Sequence, residues 1–417
     1  MDRFEVDGPA RLAGEVEVSG AKNAALPCLA ATLLTAEPVA LTNLPDVADI
    51  RAMEKLLRHI GVFVSSRPGE ASIEAREIGS ADAPYDLVRK MRASVLVLGP
   101  LLARAGRVRV SLPGGCAIGV RPIDRHLAAF RRMGAEVEVE HGYVEAKAGR
   151  LEGARIAFEG VTVTGTENVM LAASLARGET VIENAAREPE VVDLARLLRA
   201  MGARVSGEGT STITVEGVER LHAASHEIVP DRIEAGTYAI AGAATRGDIV
   251  VRKCRPAHLE SLTANLAAAG ARIERRDDDL RIGCGGPLRA LDVETAPYPG
   301  FPTDLQAQWI AMATTMDGVS TITETIFENR FQHVAELSRM GARIRLRGRS
   351  AEVDGPARLS GANLMASDLR ASAALVIAAL AADGPSVIHR VYHLDRGFVR
   401  MEEKLAALGG RVRRSVP

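Results

Sequence analysis

Met201-Gly202-Ala203-Arg204-Val205 and Met340-Gly341-Ala342-Arg343-Ile344-Arg345-Leu346 carry one signal twice: a helix-like run closed by glycine, then at once a short alternating strand. Glycine ends a helix well because it enters the left-handed region without a Cβ clash. The same junction stands at Gly61, Gly134, Gly270 and Gly409, so the six glycines follow one another at 73, 68, 68, 71 and 68 residues. A sustained period of this kind marks a repeated supersecondary unit. The expected fold class is therefore α/β, made of six repeats. A second match supports duplication: Val6-Asp7-Gly8-Pro9-Ala10-Arg11-Leu12-Ala13-Gly14 recurs as Val353-Asp354-Gly355-Pro356-Ala357-Arg358-Leu359-Ser360-Gly361, which places one segment at the opening of the first and sixth repeats. A chain of 417 residues exceeds what one core sustains, so two domains of three repeats are expected. The crossing is placed at Val229-Pro230-Asp231, giving residues 21–229 as one domain and residues 1–20 with 230–417 as the other.

Composition narrows the function. With 52 basic and 53 acidic residues the net charge is −1, which argues against nucleic acid or an anionic membrane as partner. Aromatics make up only 3%, so the core must be built from Ala, Leu, Val and Ile. Met1-Asp2-Arg3-Phe4-Glu5 has no apolar run of a secretory signal, and the apolar residues 371–382 are too few to span a bilayer and read as a core helix. Cys28, Cys116, Cys254 and Cys284 form no C-x-x-C pair, which suits free thiols in a reducing cytoplasm. His126, His333 and His393 have no metal-ligand spacing, and no metal is expected.

Each repeat is expected to start two helices. The first starts lie near Lys22-Asn23, Arg92, Glu167-Asn168, Glu234, Asp304 and Arg370. The second lie near Asp46, residues 121–124, residues 188–190, Arg255, Asn329-Arg330 and Asp395-Arg396. Acids at these places read as caps. Lys22, Arg92, Arg121, Arg330, Arg370 and Arg396 oppose the positive helix end instead. An anion held among them explains that placement better than scattered surface charge. Ser111-Leu112-Pro113-Gly114-Gly115-Cys116-Ala117-Ile118-Gly119 follows an expected strand and reads as a loop. Cys28 lies in an apolar helical run and reads as core. Cys116, on the loop with Arg121 close behind, is either a reactive thiol or an incidental one. Asp304 is either a helix N-cap or a chemical group.

PGGCAIGVRPIDRH (113–126) resembles the active-site loop of the enolpyruvyl transferases that act on UDP-N-acetylglucosamine. SGAKNAALP (19–27), MRASVLVLGPLLAR (91–104), ENAAREPEVVDLARLL (183–198), PDRIEAGTY (230–238), YPGFPTDLQAQ (298–308), ETIFENRF (324–331), SDLRASAAL (367–375) and YHLDRGF (392–398) resemble further motifs of that family, in the same order. The resemblance implies two inside-out α/β barrel-like domains, each of three repeats, closing over a cleft. It implies transfer of the carboxyvinyl group of phosphoenolpyruvate to the 3′-hydroxyl of UDP-N-acetylglucosamine with release of phosphate, the first committed step of peptidoglycan synthesis. No cofactor and no obligate protein partner are implied.

Residue roles follow from the same resemblance. Lys22 and Arg396 would hold the phosphate of phosphoenolpyruvate with Arg92 and Arg121 nearby, and Arg330 and Arg370 would face its carboxylate. Asn23, Arg121, Pro122, Ile123, Asp124 and Arg125 would position the sugar nucleotide, with Val161, Thr162, Val163, Thr164 and Ile326 along its surface. Asp304 would orient or deprotonate the hydroxyl. Cys116 would give a proton to C3 and be alkylated by fosfomycin. Some relatives carry Lys before the Val-Ser-Val stretch, where this chain has Glu159-Gly160-Val161-Thr162-Val163. A sister activity on shikimate 3-phosphate, or a non-catalytic nucleotide-binding relative, would share the fold.

Overall fold

The computed structural model describes residues 2–89, 91–112 and 123–416. They divide into two compact units, residues 2–19 with 230–416, and residues 20–112 with 123–229. Each unit holds three four-stranded sheets of one design. In one of them Arg155–Ala157 runs parallel to Glu179–Glu183, which pairs antiparallel with Thr212–Glu216, and that strand pairs in turn with Arg204–Ser206. Alternation gives each sheet one buried face: Thr212–Glu216 buries Ile213 and Val215 and exposes Thr212 and Glu216.

The buried faces meet helices. Arg232–Ala244, Gln306–Ala313 and Leu369–Ala381 pack on one another and are buried almost all round, as helices apolar on every face must be. Lys22–Ala31, Leu98–Ala105 and Val163–Ala173 are the buried helices of the other unit. Helices inside and sheets outside make the inside-out α/β barrel-like arrangement with three repeats in each unit. All six junction glycines have positive φ, from 85° to 108°. Among the described residues no helix is long and apolar enough to cross a membrane.

Two features break the simple repeat. The chain passes between units at 19–20 and at 229–230, and at each passage a parallel strand changes sheet. Ala13–Glu17 precedes the helix Lys22–Ala31 yet pairs with Asp248–Arg252, whereas Ala224–Glu227 precedes Arg232–Ala244 yet pairs with Val39–Leu44. The N-terminal strand Arg3–Gly8 inserts between Gly384–His389 and Val412–Ser415 and completes the sixth sheet. Ser350–Gly355 takes the same place in the fifth sheet, between Gly318–Thr323 and Arg343–Arg347. The duplicated segment therefore closes two sheets rather than opening two repeats.

Candidate functional site

Asp304 lies in the 3-10 turn Thr303–Leu305 that leads into Gln306–Ala313. The cap positions of these two helices are Pro302 and Leu305, and neither makes a side-chain cap, so the capping alternative for Asp304 falls away. Its Oδ1 accepts from Arg330 Nη2 at 2.7 Å, and its Oδ2 accepts from Arg370 Nη2 at 2.9 Å and Nε at 3.2 Å. Burial alone would push this carboxyl up, but Arg370 and Arg330 outweigh it and hold the group well below the usual carboxylate range. Arg330 Nε and Arg370 Nη1 are buried with no hydrogen-bond partner, leaving two guanidinium donors unused beside the carboxylate. Arg370 is the second residue of Leu369–Ala381. Asp368 caps that helix by accepting from the N–H groups of Arg370 and Ala371 at 2.9 and 3.0 Å.

Glu324, 0% exposed, lies behind this cluster. Its Oε2 accepts from Thr303 Oγ1 at 2.7 Å, and Thr303 Oγ1 accepts from Arg330 Nη1 at 2.8 Å. Its Oε1 accepts from Thr295 Oγ1 at 2.9 Å and from the backbone N–H groups of Ile326 and Phe327 at 2.8 and 3.0 Å. Ile326 is thus fixed through its backbone. The helix expected near Arg330 begins at His333, because residues 328–332 form turns first. Arg396 ends the 3-10 helix Val391–Arg396, which packs on Leu369–Ala381, and the following helix starts only at Met401. Burial, then the Arg396 charge, lowers the neighbouring His393.

In the other unit Lys22 is the first residue of its helix and only 9% exposed. Its Nζ donates to Asp49 Oδ2 at 3.1 Å, which offsets the helix dipole that a cation there opposes. Asn23 is half-buried beside it, and Arg92 opens the 3-10 helix Arg92–Val97. His126 is buried and pushed down to about 4, by burial first and then by the Arg92 charge. Asn168 Nδ2 lies 3.1 Å from His126 Nδ1 and also donates to Val95 O at 2.8 Å, while its Oδ1 accepts from Gly99 N at 2.8 Å. That arrangement leaves the proton on His126 Nε2, facing Thr164 Oγ1 at 3.4 Å.

The helix expected at Glu167-Asn168 begins earlier, at Val163, with Thr162 Oγ1 as its cap on Gly165 N at 3.3 Å. Val161, Thr162, Val163 and Thr164 therefore form a helix N-terminus. Arg125 Nη1 donates to Gly160 O at 3.0 Å, just before this helix start. Ile123 is buried at the cap of Asp124–Arg132, and Asp124 is exposed. Cys116, Arg121 and Pro122 lie outside the described residues.

Reasoning from sequence missed Glu324, Thr303, Asp49 and the pairing of His126 with Asn168. Asp49 looks like an ordinary acid in a first helical turn, whereas Glu324, Thr303 and His126 lay inside ETIFENRF, YPGFPTDLQAQ and PGGCAIGVRPIDRH, where the neighbouring cations and Asp304 drew the reading. Cys28, Cys254 and Cys284 are buried. Burial lifts Cys28 well above the usual thiol range, and Asp193 and Glu167 add to that, so Cys28 stays a thiol. Among the described residues one group has the chemistry to hold a metal: Cys28, Asp193 and His226, whose ligand atoms lie within 4.8 Å of one another. Asp193 is already engaged by His226 Nε2 at 3.2 Å and by Val229 N–H at 3.3 Å.

The sequence profile described as EPSP synthase (3-phosphoshikimate 1-carboxyvinyltransferase) matches residues 6–405. The chain is 55% identical to the UDP-N-acetylglucosamine 1-carboxyvinyltransferases of Koribacter versatilis and Acidobacterium capsulatum, over 99% of its length and 96% of theirs. Among solved structures it resembles the enolpyruvyl transferase NikO from Streptomyces tendae, with a TM-score of 0.90 and 26% identity, covering 100% of this chain and 99% of that one. EPSP synthase from Acinetobacter baumannii shares the fold at a TM-score of 0.77 and 20% identity, with 100% of both chains covered. Full-length agreement in sequence and in fold, around a carboxylate gripped by two buried arginines, makes this chain a member of the enolpyruvyl transferase family.

Proposed function

We propose that the protein transfers the enolpyruvyl group of phosphoenolpyruvate to the 3′-hydroxyl of UDP-N-acetylglucosamine and releases phosphate, a step of peptidoglycan synthesis. The observation that carries this reading is the 55% identity, end to end, with two relatives of that activity. The family profile named for the shikimate enzyme spans the whole fold and does not favour that acceptor, since the solved shikimate enzyme is only 20% identical.

The chemistry follows from the charges. The unused Arg330 Nε and Arg370 Nη1 suit a planar carboxylate, which takes two donors at once. Asp304, ionised at neutral pH, is a weak base but a good acceptor for the 3′-hydroxyl. Its basicity rises when a substrate anion draws the two arginines toward itself. The free N–H groups at the start of Val163–Ala173, with Arg125 beside Gly160, suit a diphosphate. Lys22, Arg92, Arg121 and Arg396 would neutralise the phosphate that leaves, and Cys116 would protonate C3. The site works in the cytoplasm on two small molecules.

The test is phosphate release from phosphoenolpyruvate with each acceptor in turn. Release with UDP-N-acetylglucosamine alone is expected; release only with shikimate 3-phosphate overturns the reading. Fosfomycin should add one adduct at Cys116, seen by peptide mass spectrometry, with activity falling in step.

A further inference from the structure

We infer that Glu324 is a positioning residue for the reaction, acting through the Thr303 hydroxyl to hold Arg330 on Asp304; this rests on the transferase reading above. Glu324 is wholly buried, and among the described residues its carboxylate accepts from neutral donors: two threonine hydroxyls and two backbone N–H groups. A buried carboxylate satisfied in this way is rigid, because each bond fixes another element. Oε1 ties Thr295, just past the strand Val293–Glu294, to Ile326 and Phe327 in the loop after Gly318–Thr323. Oε2 does something different. It takes the Thr303 proton, and so turns the Thr303 lone pair toward Arg330 Nη1 at 2.8 Å.

The direction of this relay is the point. A hydroxyl has one proton, so Thr303 can accept well from Arg330 only while it donates to Glu324. The other amino group of Arg330, Nη2, then meets Asp304 Oδ1 at 2.7 Å. One buried acid thus sets the angle of the guanidinium plane against the reacting carboxylate, without touching any substrate. A glutamine at 324 would keep its carbonyl among the three donors at the Oε1 site and place its NH2 on Thr303. The Thr303 proton would then point at Arg330, donor against donor.

The test compares Glu324→Gln, Thr303→Val and Thr303→Ser with the wild type by steady-state kinetics, by calorimetric titration with phosphoenolpyruvate, and by urea melts. The expected result for Gln and Val is a kcat lower by about tenfold or more, since small misplacement of a reacting group costs that much. Their KM for UDP-N-acetylglucosamine should stay within about threefold, and Thr303→Ser should restore kcat to within about twofold. Affinity for phosphoenolpyruvate should drop by about fivefold in Gln and Val only. If Gln and Val melt early but keep wild-type kcat and phosphoenolpyruvate affinity, Glu324 is structural and the inference is overturned. Failure of the underlying reading looks different: the wild type itself would not turn over UDP-N-acetylglucosamine. The same variants then test the relay on whichever acceptor releases phosphate, and through phosphoenolpyruvate affinity if none does.

Discussion

Arg330 and Arg370 are each more than nine-tenths buried, and guanidinium groups so placed require a counter-charge. Asp304 supplies it from 26 and 66 residues away in sequence, which is why its own surroundings could not distinguish a cap from a chemical group. Asp304→Asn should cut kcat by about 100-fold or more and lower stability by about 1–3 kcal/mol, through weakened charged hydrogen bonds. Urea melts give the second figure. Because the folded-state pKa of Asp304 is depressed, its stabilising contribution is complete above the unfolded carboxylate range and disappears as pH falls through the folded value. The gap between wild type and variant should therefore close only in acid, below about pH 4. His126 and His333 behave likewise at a higher pH. Burial lowers each from 6.5 to about 4, so the unfolded chain binds protons that the folded rings refuse. Stability should be full above pH 6.5 and fall by about 3 kcal/mol per histidine toward pH 4. In His126→Asn that slope should be shallower, measured as urea midpoint against pH.

At the scale of elements, the six helix–strand junctions were readable because their cause is local. Gly270 has φ 108°, and beyond its own chain neighbours nothing lies within 4 Å of where a Cβ would stand, so its requirement is purely one of backbone conformation. Gly270→Ala should cost about 1–2 kcal/mol with unchanged kcat, checked by urea melts and phosphate release. Helix starts were less readable. Thr162 caps a helix beginning four residues before the expected Glu167, and its β-branched neighbours Val161, Val163 and Thr164 have low helix propensity, so the start is not marked locally. The cap fixes it by giving Gly165 N–H a partner. Of the cations expected at helix starts, Lys22 and Arg370 stand in first turns and Arg92 opens a 3-10 helix, whereas Arg330 precedes its helix by three residues and Arg396 closes a 3-10 helix. Their partners were not foreseen: Asp49 for Lys22, Asp304 for Arg370.

For the whole molecule, the sixth sheet needs both ends of the chain. Arg3–Gly8 bonds to Gly384–His389 on one side and Val412–Ser415 on the other. Removing residues 2–9 should leave that sheet split and its unit unable to fold. Trp309 is the single tryptophan, 0% exposed on the buried helix Gln306–Ala313 of the same unit, and so reports on it alone. Its emission should shift to the red in the truncated protein at 25 °C. Native emission there would show that the inserted strand is dispensable.

The sequence by itself determined the repeat, its period and its α/β character, because glycine junctions and alternating strands act over a few residues. Only the tertiary structure decided which strand pairs with which. Ala13–Glu17 and Ala224–Glu227 each precede a helix of one sheet and join another, and nothing in a short strand names its partner. Only the tertiary structure, too, set the proton order along Glu324, Thr303, Arg330 and Asp304. Hydrogen-bond direction in a buried network depends on every neighbour that folding brings there, and those neighbours are far apart in the chain.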